Sequence, residues 1–181
     1  MAEGTSVVDL LLRDHHKVEE LLGRLDSTSD NALHPYFDEL REELVRHEVA
    51  EELIVYPAFR KHVDGGDDIA DARIAEQAQA EKMLSQMEKQ EDDPVVLRGQ
   101  LAEFRTMVLL HAKHEESDVF PALESDVPQA ELTELGNRYE KALSAAPTHP
   151  HPNAPDTPPG NMALGPVAAL IDRVRDAMRA A

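Results

Sequence analysis

The chain reads as an all-α protein, an up-and-down four-helix bundle, and three observations predict it. Apolar residues recur at steps of three and four through strongly charged sequence. Aromatics make up only 4% of the residues, Trp is absent, and no strand signals break the helical spacing. Cap and turn residues punctuate the first part of the chain at helix-length intervals. With 181 residues there is material for one domain of ordinary size plus a tail.

The first helix starts after Ser6, where Ser6 and Asp9 have capping-box spacing, and runs to about Leu25 before the polar stretch 26–30. Its seam is Leu11, His15, Val18, Leu22 and Leu25. Pro35 suits the first turn of the second helix, whose seam reads Phe37, Leu40, Leu44, His47, Glu51, Ile54, Ala58. The turn Asp64-Gly65-Gly66-Asp67 introduces a third helix with Ile74, Gln77, Glu81 and Leu84 on one face. Asp93-Pro94, a cap followed by a first-turn proline, opens the fourth, with Leu97, Leu101, Phe104, Val108, His111, Glu115, Val119 and Ala122. Pro57 and Pro121 are expected to kink or end their helices, because proline removes a backbone donor and clashes with the preceding turn.

A fifth helical segment at 131–143 extends the bundle, giving a unit of 1–144. The stretch 145–166 holds seven of the twelve prolines and reads as an extended linker without a core of its own. Beyond it, 167–179 forms a short amphipathic helix with Leu170, Ile171, Val174 and Met178 on one side. This helix is a candidate contact for a protein partner, with docking on its own bundle as the alternative.

Composition excludes several functions. The 36 acidic residues against 18 basic give a net charge of −18, which repels nucleic acid phosphates and anionic lipid surfaces. Without cysteine there is no disulfide, thiolate zinc site, iron–sulfur cluster or thiol nucleophile. No Gly-rich phosphate loop or Gly-x-Ser-x-Gly elbow is present. No basic leader or membrane-length apolar run is seen, so a cytoplasmic location is expected.

The informative pattern is a repeat. His47 and Glu51 stand four apart and lead to Tyr56-Pro57-Ala58; His111 and Glu115 stand four apart and lead to Phe120-Pro121-Ala122. Positions i and i+4 share a helix face, where an imidazole and a carboxylate can grip one cation. Two such grips suggest a two-metal site. Packing the four helices brings His15, His47, Glu51, Gln77, Glu81, His111 and Glu115 to comparable depth. Burying so many polar groups without compensation costs several kcal/mol or more, and a cation offsets it. Nitrogen and oxygen donors without sulfur suit iron, manganese or zinc.

The doubled motif, with Asp14-His15 in helix one and Glu76-Gln77 to Glu81 in helix three, resembles the hemerythrin-like proteins of the HHE cation-binding type over about residues 7 to 125. The resemblance implies a hemerythrin-like bundle around two iron ions with an oxo or hydroxo bridge. His15 and His47 become terminal ligands of one iron, His111 with helix-three residues those of the other, and Glu51 and Glu115 the bridges. A single metal, or zinc or manganese, is the alternative occupancy. The family's helix three normally supplies a histidine where this chain has Gln77, a poorer ligand; His114 is weighed as a replacement. Oxygen-carrying relatives place a second histidine where this chain has Glu81, and a third carboxylate there lowers the reduction potential. The implied partner is dioxygen, peroxide or a similar small ligand, in sensing or oxidative-stress handling rather than oxygen transport. A diiron enzyme decomposing peroxide and an iron storage or delivery protein are the alternatives. Tyr56 is expected to be core or a redox neighbour, His16 lies off its seam, and His34, His62, His149 and His151 carry no ligand argument; the last two belong to a stiff spacer.

Overall fold

Each helix start expected from a cap residue is found where its hydrogen bonds can be counted. The computed structural model describes residues 4–91, 93–153 and Asp172. Helix α1 spans Val7–Ser27, and the Ser6 hydroxyl accepts from the Val8 N–H at 3.3 Å. Helix α2, Leu33–Ala50, carries Pro35 in its first turn and continues through a π-helical turn, Glu51–Val55, into α3, Tyr56–His62. Gly65 takes a φ of 73°, the left-handed conformation that glycine adopts at little cost, and turns the chain into α4, Gly66–Glu88. The Asp93 carboxylate caps α5, Pro94–His114, by accepting from the N–H groups of Val95 and Val96. A second π turn, Glu115–Val119, leads to α6, Phe120–Asp126. Helix α7, Gln129–Ala145, then lies against α1, α2 and the first π turn.

The result is an all-α bundle, with no strand among the described residues. Its interior has two apolar halves. One gathers Val7, Leu11, Val55, Phe59, Val119, Leu123, Leu132 and Leu135; the other gathers Val18, Leu22, Phe37, Leu40, Leu44, Leu84, Leu101 and Phe104. His15, His47, Glu51, Gln77, His111 and Glu115 are all buried and fall between these stretches along their helices. The bundle therefore holds a polar layer at mid-height. Helix α7 reaches the first half through a close approach at Gly136, where a Cβ would sit 2.4 Å from the Thr5 carbonyl oxygen.

Two sequence expectations are refined. Of the two outcomes expected at Pro57 and Pro121, ending the helix is not the one found. Proline cannot donate to the carbonyl four residues back and crowds it, and the wider π turn before each proline relieves both problems. The start of the proline-rich stretch is also no solvated spacer, since residues 146–150 are buried. Arg41, buried on α2, donates to the Thr148 carbonyl at 3.3 Å, and the His149 imidazole pairs with Glu88. The Thr148 and His149 N–H groups both donate to Asp172 at 3.0 Å. Buried Arg41 and Glu88 need partners, and this segment supplies them. The remainder of the expected linker, 154–166, and of the helix at 167–179 lie outside the described residues, Asp172 excepted.

Candidate metal centre

The two π turns place the paired carboxylates. Glu51 and Glu115 each open their turn, with the Tyr56 and Phe120 N–H groups donating to their carbonyls, and both side chains are fully buried. Such single π turns inside α-helices concentrate at functional sites. From these positions both carboxylates point into the layer where three imidazoles converge. His15 Nε2 lies 3.2 Å and His111 Nε2 3.3 Å from Glu115 Oε2. His47 Nε2 lies 3.3 Å from Glu51 Oε1.

Each imidazole is held from behind through Nδ1. His15 Nδ1 is 2.8 Å from Glu116 Oε1, His111 Nδ1 is 3.1 Å from Glu76 Oε2, and His47 Nδ1 is 2.7 Å from the Tyr139 hydroxyl. A carboxylate can only accept, so Nδ1 of His15 and of His111 bears a proton, and in the neutral imidazole Nε2 then presents a lone pair inward. This is the arrangement of metal-binding histidines.

Gln77 donates from Nε2 to Glu51 Oε2 at 2.6 Å, which turns its carbonyl oxygen into the same space. Tyr56 donates to Glu115 Oε1 at 2.5 Å. After these bonds, His15 Nε2, Glu51 Oε1, Gln77 Oε1, His111 Nε2 and Glu115 Oε2 remain buried without a hydrogen bond. Five unpaired acceptors aimed into one dry layer are costly in a folded protein. Metal binding satisfies atoms of this kind, and the nitrogen and oxygen donors present fit it. Ligand atoms of His15, His47, Glu51 and Glu115 already lie within 4.8 Å of one another.

The carboxylates titrate in opposite directions. Burial, reinforced by Glu115, pushes Glu51 well above the usual range. Burial also opposes ionisation of Glu115, but His111, His15 and His47 outweigh it and hold the group at about 2. Burial lowers His47; for His15 the same penalty is overcome by Glu115 and Glu116, and its pKa is raised.

Beside the layer is a cavity of ≈ 20 Å³, walled by His15, His47, His111, Glu48 and the apolar Val18, Leu44, Ala80 and Val108. That is room for one water-sized body and no organic substrate. Glu48 is buried, and desolvation, with Glu81 and Glu52 nearby, raises its pKa far above the ordinary carboxyl value.

Of the seven residues expected at the metal, six meet in this layer and Glu81 does not. The inward stripe of α4 is Ala70, Arg73, Gln77, Ala80 and Leu84, so Glu81 stands about 100° past Ala80, where it accepts from the His151 N–H at 2.8 Å. The Ala-rich text of α4 gives a low-contrast stripe, which is why periodicity placed Glu81 inward. His114 turns to Glu76 Oε1 at 2.9 Å and does not replace Gln77. Sequence reasoning missed Glu48 and Tyr139. The signal for Tyr139 was its place on the stripe Leu132, Leu135, Tyr139, an aromatic whose polar tip needs a buried partner.

Comparison with known proteins shows the family. The chain is 29% identical over 176 residues to an uncharacterized hemerythrin-like protein of Schizosaccharomyces pombe, a match spanning 96% of this chain and 87% of the relative. It is 24% identical over 140 residues, 77% of its length, to a Nostoc protein named DNA nickase, of which the match covers 39%. No solved structure matches. The hemerythrin HHE cation binding domain model matches residues 6–123 and takes in His15, His47, Glu51, Gln77, His111 and Glu115. The chain belongs to the hemerythrin HHE cation-binding family, and its buried histidine–glutamate layer is where a metal ion can be held.

Proposed function

We propose that this layer holds two iron ions and that the protein binds or reacts with dioxygen, peroxide or a similar small oxidant, in sensing or oxidative-stress handling within the cytoplasm. The observation that carries the reading is the set of buried, unpaired donor atoms beside a cavity sized for a diatomic-scale ligand. His15 and His47 would hold one ion and His111 with Gln77 the other, with Glu51 Oε1, 3.3 Å from His47 Nε2, and Glu115 Oε2, 3.2 and 3.3 Å from His15 and His111 Nε2, as the carboxylate ligands. Bound iron supplies one-electron redox chemistry at this point. The protein's part is to fix the imidazoles, keep the layer dry and admit only small ligands.

Reversible oxygen carriage fits less well. Neither Gln77 nor Glu81 supplies an imidazole from α4, so a second ion would have one fewer nitrogen donor than the first. A carboxyl group in the cavity wall, Glu48, gives a bound oxidant a hydrogen-bonding partner and favours the second reading, peroxide decomposition. Action on DNA fits poorly, since the match covers 39% of the nickase and a charge of −18 repels nucleic acid.

Metal analysis of protein purified without added metal, beside its optical spectrum, tests the proposal. Two irons per chain with the near-ultraviolet absorption of an oxo-bridged pair are expected. Zinc alone, or no metal and no spectral response to ferrous iron, contradicts it. Sustained peroxide turnover that His111→Ala abolishes selects the enzyme over the sensor. Rapid loss of one iron to a mild chelator selects storage or delivery.

A further inference from the structure

We infer that Tyr139, on α7 and outside the residues the family model matches, is a positioning residue of the metal centre that fixes the tautomer of His47. The inference rests on reading the layer as a metal site. The Tyr139 hydroxyl is fully buried, 2.9 Å from Asp14 Oδ2 and 2.7 Å from His47 Nδ1. Asp14 is a carboxylate paired with Arg13, whose Nε and Nη2 lie 2.9 and 2.8 Å from Oδ1, so it has no proton to give. The single phenolic proton therefore goes to Asp14. The oxygen is left as an acceptor, and only His47 Nδ1–H can fill it.

With its proton on Nδ1, His47 presents a lone pair at Nε2 toward the layer, 3.3 Å from Glu51 Oε1. Asp14 cannot do this alone, because its Oδ2 stands 3.8 Å from His47 Nδ1, beyond hydrogen-bond reach. The phenol bridges that gap. His15 and His111 meet carboxylates directly, and both of those, Glu116 and Glu76, reach solvent with 45% and 29% of their side chains exposed. The support behind His47 is fully enclosed. Take away the hydroxyl and the His47 proton loses its acceptor on the Nδ1 side, where Asp14 Oδ2 stands 3.8 Å away, and it is free to move to Nε2. The ligand lone pair then faces the wrong way.

The test uses the full chain with ¹⁵N-labelled histidine, in which long-range ¹H–¹⁵N correlations read each tautomer in metal-stripped protein. Parent protein is expected to show Nδ1–H at His47, and Tyr139→Phe to show Nε2–H there with His111 unchanged. Ferrous titration should find one equivalent bound about 10–100-fold more weakly in Tyr139→Phe, the usual effect of losing such a partner. Retention of Nδ1–H at His47 in the variant, or a tautomer change with unaltered iron affinity, overturns the inference. Should Tyr139→Phe fold poorly, Asp14→Ala keeps the phenol but removes its acceptor. The hydroxyl then donates to His47 Nδ1, and the same Nε2–H signal is expected; its absence overturns the inference equally. If the parent takes up no iron, the metal reading fails, while the tautomer measurement still decides what Tyr139 does to His47.

Discussion

The two imidazole–carboxylate turns are near copies in sequence and backbone, and they differ in what stands around them. Both run from a histidine through a glutamate into a π turn and a proline. Yet His47 is backed by a buried phenol from α7 and Glu51 takes an amide hydrogen from Gln77, whereas His111 is backed by the partly exposed Glu76 and Glu115 sits among imidazoles with a tyrosine hydroxyl. The repeat fixes geometry, and the neighbours assign chemistry. Glu51 is accordingly pushed up and Glu115 held at about 2, although each belongs to the same motif.

The sharpest way to break the comparison is to neutralise each glutamate in metal-free protein. Glu115→Gln removes an anion that buried imidazoles face, and should cost about 3–5 kcal/mol in urea unfolding near neutral pH. Glu51→Gln should cost far less, because burial already favours the neutral acid there. The pH profiles should oppose one another. Glu51 has a raised folded pKa, so its contribution is complete below the unfolded value of about 4.3 and falls as pH rises from there toward the folded pKa. Glu115 has a depressed one, so its contribution is complete above that unfolded value and is lost as pH falls toward about 2. Each Gln variant should flatten its own limb. Equal costs and parallel profiles would show the halves to be chemically equivalent.

Next in size is the metal itself. Ferrous iron under anaerobic conditions at 100 times its dissociation constant should add about 2.7 kcal/mol to unfolding stability. The gain should shrink in either glutamate variant, and calorimetry with and without a chelator measures it. A third prediction concerns α7, which supports the His47 half. Gly136→Ala places a Cβ 2.4 Å from the Thr5 carbonyl oxygen and should destabilise the fold by about 1–3 kcal/mol as α7 is pushed away. Amide exchange should quicken around Tyr139 and His47 before it does around His111. Smallest are the prolines: Pro57→Ala and Pro121→Ala should each cost about 0.4–1 kcal/mol, through the entropy of the unfolded chain. A loss several times larger at one of them would mean that its π turn depends on proline in a way the other does not.

Much of this molecule was legible in its sequence. Ser6, Gly65 and Asp93 marked helix starts because a cap is a local event, decided by a few consecutive residues. His47, Glu51, His111 and Glu115 were readable because i and i+4 share a face in any helix. His15 followed from an imidazole on an otherwise apolar stripe. Glu81 shows where that reasoning fails: in α4, alanines and polar residues alternate too evenly for periodicity to fix which way the helix is turned. Packing against α5 and α3 chose instead, setting Ala80 inward and handing Glu81 to the backbone of His151.

The sequence by itself determined the helices, the duplicated grips and a donor set of nitrogen and oxygen without sulfur. Tertiary structure alone decided that Tyr139 and Asp14 stand behind His47, that Glu48 walls the cavity, and that the tail segment covers Arg41 and Glu88. The physical reason is range. Caps and helix faces are set within a few residues of one another, whereas desolvation, hydrogen-bond pairing and pKa depend on groups that meet only when distant segments pack.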